Sequence, residues 1–152
     1  MLTKACLQNN VMGLFTTNNS NYPVYLALFQ NATKPSWDGS DVVEVNGTGY
    51  ARHRINYYTN DLVNISSAED REAAGLADDE LGVWNKTSEI HFNEATGDWG
   101  EIKYFGVYYS GSLIYIGELE TAIHPGDEGR PSVAVIRPKQ LKIVVKSEEY
   151  TV

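Results

Sequence analysis

The sequence predicts a mainly β fold: an antiparallel β-sandwich or barrel with a short N-terminal helix and a short helical insertion. Three observations carry that expectation. Short runs of aromatic and β-branched residues recur along the chain, separated by turns rich in Gly, Pro, Asn and Asp. The stretch Asp98–Leu119, DWGEIKYFGVYYSGSLIYIGEL, reads as two such runs joined across Ser110-Gly111, a hairpin signal. The composition fits one globular domain over 1–152, with 42% hydrophobic and 21% charged residues. Ten of the residues are Tyr, a side chain suited to sheet faces that are half buried and half wet.

Residues 1–17 read as a helical segment. Leu7, Val11, Leu14 and Phe15 fall on one helical face, and Asn18 to Asn21 end it. A helix this short is stable only when its apolar stripe lies on something, so these four residues are the candidate assembly contacts. Val24–Phe29, VYLALF, is an unbroken apolar run that suits a strand covered on both sides. Val42–Val45 reads as a short strand and Asn46-Gly47-Thr48-Gly49 as a turn. Tyr50–Tyr58 alternates, with Ala51, His53, Ile55 and Tyr57 on one face and Arg52, Arg54 and Asn56 on the other. Leu62–Ile65 reads as one more short strand.

Residues 66–83 form an acidic insertion. Ser66 and Glu69 have capping-box spacing, which predicts a short surface helix before Gly75, and Asp78-Asp79-Glu80 follows. Strand patterns resume at Ser88–Phe92, with Ile90 and Phe92 facing one way. In the hairpin, Ile102, Tyr104, Gly106 and Tyr108 oppose Phe105, Val107 and Tyr109. His124-Pro125-Gly126-Asp127 is a turn, and Ser132–Ile136 is a strand stopped by Pro138. In the last strand Leu141, Ile143 and Val145 share one face, with Lys142 and Lys146 on the other.

Charge and motif content exclude several function classes. Twelve basic against twenty acidic residues give a net charge of −8, a poor match to nucleic-acid phosphates. Cys6 is alone, so no intrachain disulfide forms. Residues 1–15 lack the apolar core of a signal peptide, and the longest apolar run is far short of a membrane span. His53, His91 and His124 lie outside any recognisable catalytic motif, and no nucleophile-elbow, zincin or phosphate-loop pattern is present. The acidic pairs at Asp78-Asp79 and Asp127-Glu128 lack EF-hand spacing. No enzyme, cofactor, metal, nucleic-acid or membrane role is expected. Trp37 and Trp84 sit in loop-like segments and are the candidate surface or receptor contacts, able to stack on a glycan.

The order of several pieces resembles a family of small phage virion structural proteins described as tail-fibre-like. The pieces are VYLALF at Val24–Phe29, EVNGTGYAR at Glu44–Arg52, EIHF at Glu89–Phe92, DWGEIKYFGVYY at Asp98–Tyr109, LIYIGEL at Leu113–Leu119 and the Gly126-Asp127 turn. GTGYAR and WG…FG are the most specific. The chain departs from the pattern at the 66–83 insertion and in its shorter Ser110-Gly111 turn. The resemblance implies a non-catalytic virion component, assembling in multiple copies on the particle surface or tail as a decoration, fibre or tail accessory protein. The implied partners are other capsid or tail proteins and further copies of the chain, brought together in the bacterial host cytoplasm. The alternative is a module of the phage tail that binds a host-surface glycan.

Overall fold

Val24–Phe29 (β1) is buried along almost its whole length, as an apolar run without alternation requires. In this computed structural model, which describes residues 23–36, 38–55 and 61–146, β1 is a central strand. The expected helix over 1–17, with Leu7, Val11, Leu14 and Phe15, lies outside the described residues, as does Trp37.

The remaining elements are β2 (His53–Arg54), β3 (Val63–Asn64), α1 (Ala68–Ala74), β4 (Glu80–Trp84), β5 (Ile90–Ala95), β6 (Ile102–Tyr109), β7 (Ser112–Ile123), β8 (Ser132–Ile136) and β9 (Lys142–Lys146). They form three antiparallel sheets, ordered β2-β1-β6-β7, β3-β4-β9 and β5-β8. The sheets stack as a sandwich and do not close into a barrel.

The main core lies between the first sheet and the other two. Leu26 and Leu28 of β1, with Phe105 and Val107 of β6, meet Val83, Ile90, Ile136, Ile143 and Val145. A second cluster of Ala27, Phe29, Tyr104 and Ile116 covers the opposite face of the first sheet, with Val42 packed against it. Two strand glycines make room for rings. A Cβ at Gly106 would collide with Phe29, and one at Gly117 would collide with Phe105, its cross-strand partner.

The hairpin of β6 and β7 pairs as expected, but two register shifts change its faces. One lies between Val107 and Tyr108, where a single step on β6 spans two on β7. The other lies between Ile102 and Tyr104, so Ile102 joins Phe105 and Val107 in the main core and not Tyr104 on the far side.

Several expected boundaries move. Val42–Val45 contributes one bridge, Glu44 to Phe29, and not a strand. Of the run from Tyr50, only His53–Arg54 enters the ladder among the described residues. The insertion helix is capped by Ser67, whose Oγ accepts from Asp70 N at 3.1 Å, one residue after the expected cap. Gly75 closes it in the left-handed conformation at φ 71°.

The insertion also overturns the reading of Trp84. That residue is the last of β4, only 2% exposed, and packs with Ile65 and Ala74 under α1. The helix expected at the surface of the insertion therefore packs down and covers the indole. Lys86 holds α1 from the other side through Asp70 at 2.8 Å, and Arg71 donates to the carbonyls of Ala77 and Glu80.

Candidate functional site

The segment Glu44–Arg52 closes the exposed side of β1 past the end of β2. Val45 N donates to Leu28 O at 2.9 Å, and Gln30 N donates to Val43 O at 2.7 Å. Between these bonds and the end of β2, Leu28 N donates to the Tyr50 hydroxyl at 3.1 Å, so a phenol replaces a strand. That hydroxyl donates onward to Glu44 Oε2 at 2.6 Å.

Arg52 grips the same carboxylate through two bonds of 2.8 and 2.9 Å, and its guanidinium lies 3.7 Å from the centre of the Tyr108 ring. Burial raises the Glu44 pKa, but the bonds from Arg52 and Tyr50 outweigh it and leave the carboxyl below its ordinary value. Burial and the bond to Glu44 push the Tyr50 phenol far up. Arg52, on the polar face of its segment, stays exposed and anchors Glu44 through an ion pair.

Trp99 joins this motif to the hairpin. Its indole Nε1 donates to Thr48 O at 3.0 Å, its backbone carbonyl accepts from the Gln30 side chain at 2.9 Å, and its ring meets Tyr50 edge-on at 5.4 Å. It is fully buried. The two most specific pieces of the sequence, GTGYAR and WG, are spent on one another.

Three polar side chains gather at the open end of the hairpin. Asp98 precedes β6, and His124 and Asp127 follow β7. His124 Nε2 lies 2.7 Å from Asp98 Oδ1 and 3.7 Å from Asp127 Oδ1. Asp98 also accepts from Gly100 N at 2.7 Å. That bond first, then His124, holds the Asp98 carboxyl below its usual range, while the bond to Asp98 raises the His124 imidazole. Along the sequence His124 and the Asp127-Glu128 pair stand 26 or more positions from Asp98, and no motif joins them. The signal that links them is pairing across the hairpin base, where Ile102 faces Ile123.

The other histidines are apart from this group. His53 Nδ1 donates to His91 O at 3.1 Å, and its Nε2 meets the buried Asp61 carboxylate at 2.8 Å. His91 is exposed. Trp84 offers no stacking face, because it is buried and Lys139 sits 5.7 Å over its ring.

Asn85 opens an Asn-x-Thr triplet, Asn85-Lys86-Thr87. It is fully buried and ties the ends of four strands together. Its Nδ2 donates to the carbonyls of Ser88 and Arg137 at 2.9 and 2.8 Å, and its Oδ1 accepts from Leu141 N at 3.0 Å.

An open hollow of about 180 Å³ lies between β7 and β9, lined by Tyr104, Tyr115, Glu118, Glu120, Lys34 and Lys142 among others. Lys142 is committed there to Glu120 and to Ala74 O, both at 2.8 Å. Among the described residues no helix is long and apolar enough to cross a membrane.

The chain is thus a mainly β sandwich whose most specific motifs brace one another, the architecture of a structural domain. A family model described as Podophage GP4 fiber I protein gp80 matches residues 3–136, and the chain belongs to that family. It is a phage tail-fibre-like structural protein and a component of the virion. The match takes in both motifs and the 66–83 insertion, and it ends with β8. No curated protein matches the chain.

Proposed function

We propose that this protein is a non-catalytic building block of a phage fibre, present in many copies and held by contacts with other virion proteins and with further copies of itself. The observation that carries the reading is the use made of the specific residues. Glu44, Gly47, Tyr50, Arg52 and Trp99 lock two loops onto the sheet, and none of them lines the hollow between β7 and β9. Residues whose task is to fix a shape fit a part that is repeated in an assembly. The family description, which names a fibre protein, favours a fibre position over a capsid decoration. Assembly in the host cytoplasm belongs to the same proposal.

The test is a mass-spectrometric inventory of purified particles with copy number. Several copies per virion are expected, and absence from the particle would overturn the reading. Deleting residues 1–15, which carry the apolar stripe of Leu7, Val11, Leu14 and Phe15, should lower incorporation more than it lowers the stability of the β domain. A truncated chain that simply unfolds would place that stripe in the domain's own core.

A second reading is a module that binds a host-surface glycan. The hollow beside Glu118, Glu120 and Lys34 favours it, because carboxylates and ammonium groups hydrogen-bond sugar hydroxyls. Trp37 remains a proposed contact in this reading, whereas Trp84 does not. A glycan array without hits would remove it.

A further inference from the structure

We infer that Asp98, His124 and Asp127 form a binding site for one divalent transition-metal ion. Among the described residues they are the one group of three metal-capable side chains whose ligand atoms all lie within 4.8 Å of one another. Adjacent ligands of an ion bound at about 2.1 Å stand roughly 3 to 3.5 Å apart. The two separations from His124 Nε2, 2.7 and 3.7 Å, bracket that spacing, and the third pair lies within 4.8 Å, so the three atoms converge on one region that side-chain rotation can tighten.

The donor set selects the class of ion. Two carboxylates supply the charge that balances a dication, and an imidazole nitrogen favours borderline metals such as zinc over calcium or magnesium. The ion takes the place of the proton that Nε2 shares with Asp98, and the imidazole keeps its remaining proton on Nδ1. All three side chains are partly exposed, so the outer coordination positions are open to water.

The ligand-bearing loops are held by groups outside the trio. Trp99 N donates to Pro125 O at 3.0 Å, and Gly126 N donates to Ser132 Oγ at 2.8 Å. Gly126 packs so closely on the Gly97 carbonyl that a Cβ would collide with it, and its φ of 70° favours glycine. Because Asp98 enters β6 and His124 leaves β7, the ion cross-links the two strands at the open end of the hairpin. A ligand that binds only the folded chain raises its melting temperature.

The test uses the full chain, stripped with EDTA and dialysed, titrated with ZnCl2 by calorimetry and followed by thermal melting. One saturable ion per chain and a raised Tm are expected. His124→Ala and Asp127→Asn should each weaken binding at least about tenfold, a loss of 1.4 kcal/mol. Both sites are exposed, so the metal-free variants should melt close to the parent. His91→Ala, an exposed histidine outside the trio, should bind as the parent does. No saturable binding, binding that survives both variants, or binding lost with His91→Ala would each overturn the proposal.

Discussion

Trp99 stands where a side chain at Gly47 would be: a Cβ built on Gly47 would run into the indole ring. The contact joins the turn of one motif to the start of another, 52 residues further along the chain. Gly47→Ala should therefore overpack this point and cost roughly 1–3 kcal/mol in urea unfolding. Trp99→Ala should cost about 3–5 kcal/mol, since the ring is fully buried. In the Trp99→Ala background the added methyl has room, so the Gly47→Ala penalty should largely vanish. Strict additivity of the two changes would reject the contact.

Tyr50 serves as donor and acceptor at once. Tyr50→Phe keeps the ring against Trp99 but strands the Leu28 amide and takes one donor from Glu44. Each group left without its partner costs roughly 1–3 kcal/mol when buried. A clear fall in the urea midpoint with an unchanged m-value is expected. Stability equal to the parent would show that water replaces the phenol.

Glu44 makes stability depend on pH. Its folded-state pKa lies below the ordinary 4.5, so its contribution is complete above that value and is lost as pH falls through the depressed one. Glu44→Gln should lower stability at neutral pH and flatten the decline on the acid side. The measurement is a series of urea midpoints from pH 7 to about pH 3. Parallel curves for the two proteins would exclude Glu44 as a source of the acid sensitivity.

Asn85 carries a structural load that its place in an Asn-x-Thr triplet conceals. Asn85→Ala removes three short bonds from a dry site and should cost on the order of 3 kcal/mol. Asn85→Asp should be no better, because a carboxylate cannot donate to the Ser88 and Arg137 carbonyls. Unfolding curves for either variant that overlay the parent would contradict the assignment.

Much of the fold was legible because it rests on local rules. Alternation and unbroken apolar runs found β1, the hairpin, β8 and β9, and the faces of Leu141, Ile143 and Val145 came out as expected. Ile102 was misplaced, because a bulge resets alternation and leaves no mark in composition. Ser66 was preferred to Ser67 as the helix cap, because both satisfy the same spacing rule within one residue.

Sequence by itself determined the mainly β class, the hairpin and the membership of a phage fibre family, because these depend on the order and period of residues along the chain. Tertiary structure alone decided what the marked residues touch. It buried Trp84 beneath α1, paired Arg52 with Glu44, set Trp99 against Gly47, and brought Asp98 to His124 across 26 positions. Those pairings depend on how sheets stack and where hairpins close, and a one-dimensional pattern records neither.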